Sequence, residues 1–431
     1  MKPPSCRDRF ESALNRIVDP MGEGARTCLS VYPEAARAAA DAADARARCG
    51  ISLGPLDGAI VSIKDLFDVA GEVTRAGSKV LAEEGKPAIA DAVVVRRLRA
   101  AGAVIVGKTN MSEFAFTAIG VNPHFGTPGN PADRSRVPGG SSSGAAVAVA
   151  DAMCEIAIGS DTGGSVRMPA ALCGVVGFKP SRRRVPTEGA FPLSYSYDSI
   201  GPLARSVTDC AKADAILAGE DFLPLLPAAL DGLRVGVVEG QPLARLDNAV
   251  ATAFAAAANE LDRAGVRLTR TTLSLLDDMA AVDAKGGIIG AEACAVHRER
   301  VARRGDDIDA NVRYRIERGS AISAADLVDM MRERARLIRA MDRALESFDA
   351  LAMPTIPIVA PTIAEVADQK AFAEANAIVR RNTVIGNFFD LCGVSLPLSA
   401  PLPVGLMLLA RNGDDRKLLR IAAAVMELLQ P

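Results

Sequence analysis

Residues Pro138 to Pro180, PGGSSSGAAVAVADAMCEIAIGSDTGGSVRMPAALCGVVGFKP, contain two loops rich in Gly and Ser, Gly139–Gly144 and Asp161–Ser165. Each loop runs into an apolar segment with helical character, Ser143 to Met153 and Ser165 to Leu172. A short strand-like run follows each, Glu155 to Ile158 and Val175 to Phe178, and Pro180 closes the second. Loop, helix and strand in this alternation predict an α/β protein.

Taken singly, either loop reads as a linker or a helix cap, because glycine suits tight turns and serine is a favoured N-cap. Together they offer chemistry. The consecutive main-chain N–H groups of Thr162, Gly163, Gly164 and Ser165, placed at a helix N-terminus, can converge on a developing oxyanion while the Ser165 hydroxyl attacks.

Working outward, the first fifty residues read as helical, with an amphipathic segment from Val31 to Cys49. An apolar run from Ala59 ends in Lys64, a helix spans Ala92 to Ala101, a strand covers Val104 to Val106, and a short helix begins near Ser112. Downstream come a helix from Ala204 to Gly219, a strand at Leu233–Val238, a helix from Asp247 to Ala264 and a strand at Val266–Thr269. A long charged helix, Ala324 to Ser347, precedes a strand at Ala350–Met353, and the chain finishes as helix, strand (Val404–Leu409) and helix. No linker or repeat divides it. The expected organisation is one domain over 1–431, with an N-terminal helical segment (1–50), a core (51–205) and the remainder of the sheet with surface helices (206–431).

A serine nucleophile needs a base. The chain has two histidines, neither within a catalytic motif: His124 lies in the turn-like Asn122–Gly126 and His297 among charged helical residues. Two histidines also argue against a His-rich zinc site. The other candidates are a carboxylate or a lysine made neutral by burial, and Lys64, at the end of its apolar run, is placed for desolvation. Its ordinary value near ~10.4 would have to fall to roughly 7–8 for useful base work. The residues alone leave open a plain strand-capping lysine paired with Asp65 or Asp68.

Lys and Arg total 50 against 52 Asp and Glu, so no net field draws the protein to nucleic acid or membrane. No run approaches the roughly 18 apolar residues of a membrane span. Eight scattered cysteines without a C-x-x-C pair, and no N-terminal signal pattern, predict reduced thiols and a cytoplasmic location. Gly102 to Thr109 matches the string of a phosphate-binding loop, but Ala103–Val106 between the glycines favour a buried strand, and the helix precedes rather than follows. Cys173, a conceivable nucleophile of a nitrilase-type enzyme, falls in an apolar segment where an inert thiol is expected.

The Pro138–Pro180 stretch resembles the signature of the amidase signature family. The resemblance extends through Ile63–Lys64–Asp65, Asn110–Phe114, Asn122–Pro128, Asp198–Pro202 and Leu402–Leu406. It implies a large central mixed sheet covered by helices on both faces, and a Ser–cis-Ser–Lys triad. Ser165 would attack the amide, Ser141, joined to Gly140 by a cis peptide, would relay the proton, and Lys64 would receive it. Motif matching further implies Thr162, Gly163 and Gly164 as oxyanion donors, with Ser142 and Asp161 as hydrogen-bond partners orienting the triad. It implies a small-molecule amide substrate, no metal and no cofactor, and leaves a homodimer open. Where many members carry Thr-Tyr-Gly-Arg-Val, this chain has Ser181–Arg182–Arg183–Arg184–Val185, expected to be a solvated surface. The Ser194–Tyr197 run is expected to wall the acyl pocket. Two rival readings are the glutamine-hydrolysing component of a tRNA-dependent amidotransferase and a nucleotide-binding protein using Gly102–Thr109.

Overall fold

In the computed structural model, which describes residues 4–284 and 286–429, a single sheet of eleven strands runs through the chain. The strands are β1 (Cys28–Val31), β2 (Ile60–Lys64), β3 (Val104–Thr109), β4 (Ile156–Ser160), β5 (Val176–Lys179), β6 (Ile200–Ala204), β7 (Arg234–Val238), β8 (Arg267–Thr271), β9 (Ala350–Pro354), β10 (Cys392–Leu398) and β11 (Val404–Ala410). Their order across the sheet is β1-β3-β2-β4-β6-β5-β10-β11-β9-β7-β8. Parallel pairing joins β3, β2 and β4 at one side and β9, β7 and β8 at the other. Antiparallel ladders link the middle. The sheet is mixed and helices cover it, as the resemblance implied.

Every residue of β2 is buried, as expected of a parallel strand flanked on both sides and covered on both faces. Val61 and Ile63 enter the apolar cluster on one face and Ile60 the cluster on the other, the latter shared with the helix Ser143–Ala150. The period of two therefore turns Lys64, like Ile60, to the side where the helix Ser143–Ala150 and its preceding loop lie. Because β4 runs parallel to β2, its C-terminal residue Ser160 ends beside Lys64.

Three strands were not anticipated. β1 is a four-residue edge strand inside a segment expected to be all helical. β6 and β10 contain Pro202 and Pro397, and each proline sits where its strand pairs on one side only. The region before Ala324, where only charged helical residues around His297 were expected and no element was bounded, holds the helices Leu275–Asp283, Gly287–Arg304 and Ala310–Gly319. No helix among the described residues is long and apolar enough to cross a membrane.

Candidate active site

The Gly139–Ser142 loop enters the helix Ser143–Ala150, and the Asp161–Val166 loop leads from β4 into the helix Arg167–Cys173. The Gly140–Ser141 peptide is cis. A Cβ on Gly140 would lie 2.7 Å from Gly120 N and from Ser112 Oγ, so only glycine fits there. The Ser142 N–H donates to the Ser165 carbonyl at 3.3 Å, which holds the two loops side by side, and the Ser112 N–H donates to the Ser141 carbonyl at 3.1 Å.

Lys64 is wholly buried. Its Nζ donates to Ser141 Oγ at 2.7 Å and to Ser160 Oγ at 2.9 Å. Burial pushes the amine down to about 7, against the opposing pull of Asp198 and Asp161. The strand-capping alternative does not hold: Asp65 lies 3.5 Å from Arg75 and accepts the Gly77 N–H, and Asp68 accepts from Thr74. Lys64 is thus a desolvated amine hydrogen-bonded to two hydroxyls, without a carboxylate in contact among the described residues.

Asp161 organises the second loop. Its carboxylate accepts the N–H groups of Gly164 (2.8 Å) and Val166 (3.2 Å), two bonds from the Arg167 guanidinium (3.0 and 2.9 Å) and one from Asn387 Nδ2 (2.9 Å). Burial works to raise this carboxyl; the Arg167 guanidinium, with help from Lys179 and Asn387, outweighs it and holds the group at about 2. Asp161 and Arg167 are both fully buried, and Arg167 reaches on to Asn387 Oδ1 at 2.7 Å. Ser199 Oγ donates to the Asp161 carbonyl at 2.7 Å, and Lys179 closes the same region by donating to the Leu391 carbonyl at 2.7 Å.

The expected anion cradle is only partly available. Because the Gly164 N–H is committed to Asp161, the groups left without an acceptor among the described residues are those of Thr162, Gly163 and Ser165. Thr162 is anchored by its hydroxyl, which donates to Asp198 Oδ1 at 2.5 Å, and the Gly163 carbonyl accepts Thr383 Oγ1 at 2.7 Å. Gly164 has φ +121°, and a Cβ there would sit 2.1 Å from Thr383 Oγ1, whereas a Cβ on Gly163 meets nothing within 4 Å. Ser142 Oγ donates to the Ser160 carbonyl at 3.3 Å, tying the first loop to the end of β4. Asp198, raised to about 6 by burial against its bonds from Thr162, Ser194 and Leu193, lies close enough to influence Lys64.

Ser165, 4 % exposed, borders a small cavity of about 30 Å³ together with Thr162, Gly163, Met168, Leu193, Phe116 and Arg315. The Ser194–Tyr197 run does not line it. Ser194 and Ser196 bind Glu292, Tyr197 is buried against Arg334, and Tyr195 faces solvent. In the arginine run, Arg184 pairs with Asp214 and Glu220, and Arg182 donates to the Tyr195 carbonyl.

The rival sites lie elsewhere. His124 bonds Glu113 at 2.9 Å, and His297 packs on Phe114 with ring centroids 4.1 Å apart. Cys173 is buried, and burial pushes its thiol well up. Gly102–Thr109 forms the approach to buried β3 and β3 itself, its backbone engaged with β1 and β2 rather than folded round an anion. Ser160, Asp198, Thr383 and Asn387 had no assigned role in the sequence. The first two stand inside motif-like stretches, while the others come from more than two hundred residues downstream with no local signal.

The Amidase family profile matches residues 21–419. The chain belongs to the amidase family. It is 37 % identical over 404 residues to the 2-amino-5-chloromuconic acid deaminase of Comamonas testosteroni, covering 91 % of this chain and 86 % of that protein. It is 36 % identical to the A subunit of the glutamyl-tRNA(Gln) amidotransferase of Anaeromyxobacter dehalogenans (strain 2CP-C), over 99 % of this chain and 94 % of that one. Among solved structures, that of an amidase superposes with a TM-score of 0.87 at 33 % identity, covering 98 % and 96 % of the two chains. Membership of this amidase family makes the chain an amide-hydrolysing enzyme.

Proposed function

We propose that this amidase cleaves a carboxylic amide to the acid and ammonia or an amine through an acyl-enzyme on Ser165, with Ser141 as relay and Lys64 as base. The observation that carries the reading is the buried Lys64 amine, 2.7 Å from Ser141 Oγ and lowered to about 7. Near neutral pH such an amine keeps one N–H on Ser160 Oγ while its lone pair takes the Ser141 proton. Ser141 in turn takes the Ser165 proton, and the Ser165 oxygen adds to the amide carbonyl.

The tetrahedral oxyanion would be received by the unengaged N–H groups of Thr162, Gly163 and Ser165, with Gly164 holding the loop through Asp161. As the C–N bond breaks, the Lys64 ammonium returns the proton through Ser141 to the leaving nitrogen. Water, deprotonated by the same relay, then cleaves the ester and frees Ser165. Loss of ammonia agrees with the name of the Comamonas testosteroni relative. The eight free cysteines fit a cytoplasmic setting.

The test is ammonia release from a panel of amides, combined with labelling by a serine-directed fluorophosphonate. Label on Ser165 and turnover of at least one amide are expected. Label on another residue, or neither label nor turnover, would refute the reading.

The identity to a glutamyl-tRNA(Gln) amidotransferase component over nearly the whole chain supports a second reading, in which the same chemistry acts on glutamine and the ammonia passes to a partner. Glutaminase activity that requires added partner proteins would select it.

A further inference from the structure

Two chambers adjoin in front of Ser165. The inner one, about 30 Å³, is bordered by Ser165, Thr162 and Gly163. A water occupies roughly 10–15 Å³ of such space, so the inner chamber takes about two or three water-sized groups, the size of a carboxamide head and little more. The outer one, about 140 Å³, lies against Asp283, Gly286 and Gly290 and has room for roughly ten. Phe116, Ile289, Arg315 and Arg380 border both chambers and form the partition between them. An amide larger than its own head group needs the outer chamber, and to reach it the chain on the carbonyl must pass this partition.

The four residues differ in how far they can give way. Arg315 and Arg380 are long side chains with many rotamers. Phe116 is fixed from its main chain. Phe114 (φ +52°) and Ala115 (φ +61°), just before it, stand in the left-handed region, which residues other than glycine keep only where the surroundings enforce it. The enforcing bonds run along the whole segment: the Phe114 N–H donates to the Ala76 carbonyl at 2.9 Å, the Phe116 N–H to the Glu113 carbonyl at 3.2 Å and the Ala118 N–H to Asn376 Oδ1 at 2.7 Å.

The Glu113 carboxylate, bonded to His124 at 2.9 Å, also accepts the Asp309 N–H at 2.7 Å, and Asp309 caps the helix Ala310–Gly319. That helix returns Arg315 onto the Phe116 ring, with the guanidinium carbon 4.6 Å from the ring centroid. Phe116 is 5 % exposed. Backbone and ring are therefore both held, and the ring is the part of the partition that a substrate cannot push aside.

We propose that Phe116 is a specificity-determining residue, a fixed partition that admits amides whose carbonyl carries an unbranched chain and rejects those with a ring or branch at the carbon next to it. The inference rests on the hydrolase reading given above and adds the shape of the acyl group to it. A methylene chain is narrow enough to run past the ring edge once the arginines shift. A ring directly on the carbonyl needs that width inside the inner chamber, where the Phe116 ring already stands.

The test uses two ethyl alkylphosphonofluoridates, one with n-hexyl and one with cyclohexyl on phosphorus. In each, the Ser165 oxygen bonds to phosphorus and fluoride leaves, so the alkyl group stands where the acyl chain would. Second-order rate constants for labelling of Ser165 are divided by those of the same reagents with hydroxide, which removes their intrinsic difference. The corrected ratio of hexyl to cyclohexyl should be at least about tenfold in the wild type and fall to within about threefold of unity in Phe116→Ala, with Phe116→Leu between them. The leucine variant also decides the matter if the alanine variant does not fold. A ratio near unity in the wild type, or one unchanged in the variants, overturns this inference alone. So does a wild type that turns over amides while refusing both reagents, since the straight chain should pass. A wild type labelled at another residue, or neither labelled nor able to cleave an amide, overturns the hydrolase reading and this inference with it.

Discussion

On the proposed mechanism, changing the pH across the Lys64 ionisation removes the base without altering a side chain. A lysine at its ordinary value would be neutral in roughly one molecule in 3,000 at pH 7. With the amine at about 7, half of the molecules are in the basic form, a gain in active population of roughly 10³-fold. The protonated amine cannot accept from Ser141, so activity should be lost as pH falls. The second-order rate constant for fluorophosphonate labelling of Ser165 reads nucleophile activation without requiring the natural substrate. Followed from about pH 5 to about pH 9, it should rise roughly tenfold per unit and level off above about 7. In Lys64→Met the limb should vanish, leaving a flat rate roughly 10³-fold below the wild-type plateau. A wild-type profile without a limb, or a limb of full height in Lys64→Met, would refute the assignment of Lys64 as base.

The same burial sets a stability effect. Between about 7 and 10.5 the unfolded chain holds a Lys64 proton that the native chain lacks, so this group's contribution to stability rises with pH through that window. Lys64→Met should therefore raise Tm, and more at pH 6 than at pH 9; an equal or negative change at both would contradict a depressed amine. Asp161→Asn leaves Arg167 buried beside a neutral partner and should cost roughly 3–5 kcal/mol in urea unfolding. The wild-type benefit is present above the ordinary 3.8 and lost as pH falls through about 2, and a cost under about 1 kcal/mol would show that Asp161 is not the organiser of its loop. Gly164→Ala forces a Cβ onto Thr383 at a positive φ and should lower kcat/KM at least tenfold and stability by roughly 1–3 kcal/mol, whereas Gly163→Ala should leave Tm unchanged. Equal effects at the two glycines would dispose of the steric argument.

Much of the site could be read from the chain because its chemistry is local. Lys64 ends an apolar run, and Ser141 and Ser165 stand in Gly/Ser loops before helices, so residue type and position carry their own meaning. The strands β2, β4, β7, β9 and β11 announced themselves through continuous apolar runs. β6 and β10 did not, because a proline ordinarily disqualifies a strand and only the pairing map reveals that each proline has one neighbour. The helix Gly287–Arg304 begins with glycines and alternates small with charged residues, which blurs its apolar stripe. The bond from Asp161 to Gly164 N–H was equally hidden, since the motif supplies four amides without saying which ones the fold uses for itself. Thr383 and Asn387 complete the loop from the far end of the chain, and no local pattern ties them to it.

The pocket draws its two ends from separate parts of the polypeptide. The hydroxyls and the amine lie between residues 64 and 165, while Ile289 and Arg315 come from the helical layer 287–319, and that layer contributes no side chain to the hydrogen bonds of Lys64, Ser141 or Asp161. On the proposed mechanism, mutational drift in that layer would retune which molecules are accepted while Lys64, Ser141 and Ser165 kept their arrangement. A chimera carrying this stretch from a relative would be the direct way to transplant its appetite onto this scaffold.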